Sequence, residues 1–233
     1  MTLWERYHNP TTVDEAAALL TQYAGQARVI AGGTDLLIDM RAKPEHTPYK
    51  ALIDITSIPD LCSIQHDEGD NQVLLGAGVT HTQIVKSALL SQRATCLVES
   101  CGVIGGPQVR NVATLGGNVA HALPAGDGTT SLVALDAEAD VIHEGKRQWV
   151  PIDALFLGPG QSLLDSTRDV LLRFRFKLAS ANQATAFDRI MRPQGVALPV
   201  LGCAVHVELD AEQQRYEAVR VCLAPVGPRP MRA

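Results

Sequence analysis

No apolar stretch in this sequence approaches the roughly 18 to 20 residues that a membrane-crossing helix needs. Its 46% hydrophobic and 19% charged residues have the balance of a globular fold. A basic stripe is also missing. The net charge is -5 with the signs mixed along the chain, which argues against the counterion-releasing surface that nucleic acid requires. The densest basic cluster, Arg173, Arg175 and Lys177, alternates with Leu172, Phe174, Phe176 and Leu178. At a period of two, this is the wet face of a strand. The start, MTLWERYHNP, lacks the uninterrupted apolar segment of a secretory signal because Glu5 and Arg6 break it, so the cytoplasm is the expected compartment.

Cysteines with ligand spacing are absent as well. Cys62, Cys96, Cys101, Cys203 and Cys222 form no CxxC pair and no His-paired zinc pattern, and an odd number in a cytoplasmic chain reads as free thiols. No metal or cluster is expected on this chain. Neither GxGxxG nor GxxxxGK[ST] occurs, which disfavours Rossmann and P-loop sites. Spacing assigns no nucleophile with a base, and His81 and His121 read as polar loop residues.

The 233 residues suit one large unit or two to three subdomains. Thr12 and Glu15 have capping-box spacing ahead of Ala16 and Leu20, with Gly25 as a stop, so a first helix is expected. A strand over 28–31, a forced turn at Gly32 and Gly33, a short helix over 35–40 ending before Pro44 and a strand over 51–55 follow. Beyond Pro59 the pattern becomes a hairpin of 62–66 with 72–77. Thr80 caps a helix through Ile84, Val85 and Leu89, and another apolar helix runs towards Val103. A glycine-rich passage, 102–118, interrupts before 129–135 turn helical. Strands are expected near 141–142, 148–150 and 169–178, and strand character resumes at about Ala184. Residues 201–209 and 216–223 alternate as an antiparallel hairpin around 210–215. A lone hairpin is marginal in water, so this tail must pack on the rest of the chain or has lost the remainder of its own domain.

Two short segments stand out: VIAGGTDL over 29–36 and VATLGGNVAH over 112–121. Adjacent glycines permit positive φ and remove both Cβ atoms, so consecutive amides can converge on an anion such as a pyrophosphate. A single double glycine is as well read as a turn. Two with one layout favour a ligand, because Thr34 and Asp35 follow the first and Asn118 the second, and such groups suit phosphate and ribose oxygens. Asp127, after a Pro and Gly bend, either accepts from sugar or ribityl hydroxyls or caps the helix near Thr129.

AGGTDL together with GGPQVRNVATLGGNVAHALPAGD resembles the FAD-binding medium subunit of molybdenum hydroxylases, the family with the flavin subunits of carbon monoxide dehydrogenase, xanthine dehydrogenase and 4-hydroxybenzoyl-CoA reductase. The resemblance runs the length of the chain. It implies an α+β protein of the vanillyl-alcohol oxidase or PCMH type. Two FAD-binding α/β subdomains, 1–57 and 58–180, would precede a C-terminal α+β domain, 181–233, that looks only half present. It further implies that Ala31, Gly32, Gly33, Thr34, Asp35 and Leu36, with Thr114, Leu115, Gly116, Gly117 and Asn118, hold the FAD diphosphate and its neighbours. Asp127 would meet the ribityl region, and Phe187, Arg189 and Arg192 resemble the aromatic-x-Lys motif near the flavin. Leu123 stands where Asp or Ser is common, and Arg189 where Lys is frequent.

By the same resemblance the chain is an oxidoreductase subunit for electron transfer. The molybdenum cofactor would lie in a large partner and [2Fe–2S] clusters in a small one, with NAD, a quinone, oxygen or a ferredoxin as the external acceptor or donor. Two further readings stand beside it: a free-standing flavin oxidoreductase of the same fold, and a flavin-free scaffold. The intact double glycines count against the scaffold.

Overall fold

The structure, a computed structural model, describes residues 3–42, 49–193, 195 and 197–233. At its N-terminal end β1 (Arg6–His8), β2 (Ala27–Ile30) and β3 (Ala51–Asp54) form a parallel sheet in the order β1-β3-β2. Helix α1 (Val13–Tyr23) starts where Thr12 accepts from the Glu15 amide at 3.2 Å, and it stops at Ala24, which is left-handed with φ 46°. Its Ala16 and Leu20 pack on Ala27, Ala51 and Ile53. Helix α2 (Leu36–Ala42) follows the first glycine pair. Pro44, expected to end it, lies outside the described residues. Strand β1 was not legible: three residues carry no periodic signal, and the pairing of Tyr7 with Leu52 makes it a strand.

A five-stranded antiparallel sheet comes next, built from β4 (Ile64–Asp67), β5 (Gln72–Gly76), β6 (Glu138–His143), β7 (Lys146–Pro151) and β10 (Val170–Lys177) in the order β4-β5-β10-β6-β7. A two-stranded hairpin, β8 (Phe156–Gly158) with β9 (Gln161–Ser162), precedes β10. One face of the large sheet presents Val73, Leu75, Val141, Phe174 and Phe176 to the main core. Full burial of side chains of this size is worth roughly 1.5–3 kcal/mol each. On the other face Arg173 and Arg147 both bind the buried Asp140, at 2.9 and 2.7 Å, and the Arg175 guanidinium lies 4.1 Å from the Trp149 ring centroid. The alternation read from sequence at Arg173 and Arg175 therefore holds, with the charges paired within the sheet. The start of β10 packs Val170 and Leu172 into the core of α1 and the parallel sheet, which joins the two layers.

Between β5 and β6 the chain is helical: α3 (His81–Lys86), α4 (Ala88–Arg93), α5 (Thr95–Gly102), α6 (Pro107–Arg110), α7 (Leu115–Ala120) and α8 (Asp127–Ala134). The single helix expected through Leu89 is two. Ser87 is extended, ends α3, and caps α4 by accepting from the Leu90 amide at 3.4 Å. The tail is more than a hairpin: β11 (Gln183–Met191), β12 (Pro199–Leu209), β13 (Tyr216–Ala224) and β14 (Met231–Arg232) form an antiparallel sheet in that order. Val205 stands opposite Val221, in the register the alternation requires. One face docks Thr185, Phe187, Ala204, His206 and Cys222 towards the helices, so the tail shares the main core. Among the described residues no helix is long and apolar enough to cross a membrane.

His81, expected in a loop, opens α3 and is only 1% exposed, its Nδ1 3.4 Å from Cys101 Sγ. Burial, helped by the Arg110 charge, lowers its pKa from 6.5 to about 4. The unfolded chain takes up this proton first as pH falls, so the stabilisation is whole above pH 6.5 and is lost on the way down through pH 4. That is on the order of 3 kcal/mol. Urea unfolding across this range should therefore show an acid-side loss of stability that His81→Gln flattens; parallel curves for the two proteins would dismiss His81 as its source.

Candidate functional site

Strand β2 runs straight into the first glycine corner. Gly33 has φ +66°, and Gly32 lies flat against the segment leading into the second corner: a Cβ built on Gly32 falls 2.7 Å from the Val112 carbonyl carbon and 2.8 Å from Ala113 Cα. Neither distance accommodates a carbon atom. The first glycine pair is thus seated, backbone against backbone, on residues 112–113, which lead into the second. A side-chain approach joins them again, His121 Nδ1 lying 3.8 Å from Asp35 Oδ2.

The second corner is fixed to the antiparallel sheet. Ala77 donates to Leu172 O of β10 at 2.9 Å and accepts from the Gly116 amide at 2.9 Å. Leu115 donates to Val79 O at 3.0 Å, and Ala113 accepts from His81 at 3.1 Å. Gly116 permits this approach, since a Cβ there would sit 2.6 Å from the Ala77 Cβ. Read from sequence as part of an interrupting loop, the second pair instead opens α7, whose N-cap Thr114 accepts from the Gly117 amide at 3.0 Å. The helix is invisible in the sequence because two glycines in six residues oppose helix formation; contacts to residues 77–81 supply what propensity withholds.

The corners differ in the donors they leave. The amides of Leu115, Gly116, Gly117 and Asn118 all have protein acceptors. Among the described residues those of Gly32, Gly33, Thr34 and Asp35 have none. Four successive unengaged N–H groups around a positive-φ glycine suit a diphosphate. In the second corner Gly117 is exposed, and a Cβ added there would meet only Thr114 Oγ1, at 3.1 Å.

Asn118 turns its Oδ1 towards α8, accepting from the Thr129 amide at 3.3 Å and hydroxyl at 3.2 Å, which leaves its NH2 as the available donor. Asp127 is the first residue of α8. The cap position belongs to Gly126, with no side-chain capping bond, so the capping role considered for Asp127 is not what the structure has. Its Oδ2 accepts from Arg189 Nη1 at 2.5 Å. Burial pushes the Asp127 carboxyl up to about 6, against the pull of the Arg189 charge and hydrogen bond. The sequence offered no signal for this pairing, nor for Val112 and Ala113 as the floor under Gly32, because each contact joins distant parts of the chain. Arg192 and Leu123 are exposed.

An α+β scaffold that seats Gly32 on the segment before the second corner, and leaves the amides of residues 32–35 without acceptors among the described residues, suits a phosphate-bearing cofactor. Residues 3–176 match the family of FAD binding domains in molybdopterin dehydrogenase, and the chain belongs to that family. It is 33% identical over 229 residues to the carbon monoxide dehydrogenase medium chain of Hydrogenophaga pseudoflava, covering 97% of this chain and 76% of that one. With the xanthine dehydrogenase FAD-binding subunit of Escherichia coli O157:H7 it shares 28% identity over 227 residues, 97% of this chain and 75% of the other. Among solved structures, carbon monoxide dehydrogenase from Hydrogenophaga pseudoflava lacking the Mo-pyranopterin moiety superposes with a TM-score of 0.88 at 30% identity, covering 98% of this chain and 77% of that chain. The α+β fold and the cofactor implied by the sequence resemblance, FAD, stand on these likenesses together with the free amides.

Gly32→Ala tests the apposition itself. The added methyl has nowhere to go, because both neighbours are backbone, and the substitution should cost about 2 kcal/mol or more in urea unfolding. Gly102→Ala, whose new Cβ would come no closer than 3.8 Å to another atom, should change little. Equal stability of the two variants would remove the apposition from the account.

Proposed function

We propose that this chain is the FAD-carrying electron-transfer subunit of a molybdenum hydroxylase or dehydrogenase. It would pass electrons between [2Fe–2S] clusters of a small partner subunit, linked to a large molybdenum-cofactor subunit, and an external NAD, quinone, oxygen or ferredoxin. The observation that carries the reading is the row of amides at Gly32, Gly33, Thr34 and Asp35 that have no acceptor among the described residues, with Gly32 seated on the segment leading into the second corner. The division into units 1–57, 58–180 and 181–233 follows the three main sheets, which span residues 6–54, 64–177 and 183–232. Five free thiols suit a reducing compartment, and the cytoplasm is proposed.

In this reading the residues 31–36 hold the diphosphate by backbone donation. Thr114 and Leu115 form the wall that keeps the second corner in place. Gly116 lets that corner sit on Ala77, Gly117 leaves room for the cofactor, and the Asn118 amide is free to donate. Asp127 and Arg189 close the side towards the third sheet. FAD, when bound, supplies one- and two-electron redox chemistry. The chain supplies position and electrostatics, which fits the absence from the sequence of an assignable nucleophile and base.

The purified chain should be yellow and should release FAD on denaturation. In Gly117→Val the branched side chain fills the space beside the first corner, and the flavin should be lost while the far-ultraviolet circular dichroism stays native. A folded Gly117→Val with full flavin content would remove the corner as the cofactor site.

A further inference from the structure

The third sheet holds α8 by arginines at both ends. At the helix start Arg189, on β11, donates from Nη1 to Asp127 Oδ2 at 2.5 Å and from Nη2 to Val103 O, just past the end of α5, at 2.8 Å. The two charged side chains are only 9% and 6% exposed, and Arg189 Nε has no partner among the described residues. At the far end Arg220 of β13 binds Asp136 at 2.5 Å, and Arg232 of β14 binds Asp136 and the Val133 carbonyl. Every residue of α8 is buried. Its first turn in turn holds Asn118, through the Thr129 amide and hydroxyl, directly after the second glycine pair.

Polar contacts thus tie the third sheet to Asp127 through Arg189, and Thr129, two residues on in the same first turn of α8, to Asn118; the helix backbone joins the two. Both Arg189 Nη groups face protein acceptors, so the guanidinium is oriented by Asp127 and Val103. A lysine, with one terminal nitrogen, cannot reproduce that planar two-acceptor bridge. Removing the arginine strands a buried carboxylate, which then either drags water in or protonates.

We propose that Arg189 is a positioning residue for the cofactor corner: acting from the third sheet, it sets Asp127 and the first turn of α8, and through them the orientation of Asn118. The inference rests on the reading that this corner holds FAD.

The test titrates the full-length apo-chain with FAD, following affinity and the visible absorption band of the bound flavin. The variants are Arg189→Met, Arg189→Lys and the double variant Arg189→Met/Asp127→Asn. Arg189→Met should bind FAD about tenfold more weakly or worse, with a displaced flavin band. Arg189→Lys should fall between it and the wild type. The double variant, with no stranded charge, should regain part of the affinity. A merely structural arginine would lower the unfolding temperature and leave the band in place. Wild-type affinity and band in a folded Arg189→Met, or a double variant whose losses simply add, overturns the proposal; should Arg189→Met fail to fold, the lysine and double variants decide it by the same readings. A wild-type chain that takes up no FAD overturns the cofactor reading and this proposal with it, whereas uptake with an unaltered Arg189→Met overturns the proposal alone.

Discussion

The structure depends on one close approach: the backbone at Gly32 lies directly on the backbone at Val112 and Ala113. No side chain mediates it, and none fits. The constraint is geometric, because a Cβ on Gly32 would overlap main-chain atoms that cannot rotate away. It brings the turn leaving the parallel sheet beside the corner that the antiparallel sheet anchors through Ala77 and Leu172. Two sheets of different type are thereby joined at the place where the cofactor is proposed to be held.

The corners divide the work. The second is rigid and self-satisfied, its first-turn amides bound to Val79, Ala77 and Thr114. The first leaves the amides of Gly32, Gly33, Thr34 and Asp35 without acceptors among the described residues, at a corner that is half-buried at the glycines and Thr34 and exposed at Asp35. Under the proposed reading, backbone donation from these residues is what meets the diphosphate.

The third sheet belongs to the same body. Phe187, Ala204 and Cys222 enter the core that contains Phe174 and Leu132, and three arginines fasten α8 at its two ends. Family membership rests on residues 3–176, yet the likeness to the carbon monoxide dehydrogenase medium chain extends over 97% of this chain and includes the third sheet. The buried Asp127–Arg189 pair ties that sheet to the start of α8, whose Thr129 holds Asn118 of the second corner.

The sequence by itself determined what depends on near neighbours along the chain. Thr12 with Glu15 fixed the start of α1. Alternation fixed β10 and the pairing of β12 with β13, and the double glycines marked both corners. What only the tertiary structure decided depends on atoms far away in sequence. Residues 6–8 are a strand because β3 lies beside them. Residues 115–120 are a helix because residues 77–81 accept and brace its first turn. His81 is a neutral core residue because α5 covers it. Which corner keeps free amides follows from which one finds carbonyls to bind, and the partner of Asp127 is an arginine on the third sheet. Local spacing encodes where a backbone can turn; only the assembled chain settles which of its hydrogen-bonding groups are left over, because each is claimed or spared by a partner brought in by folding.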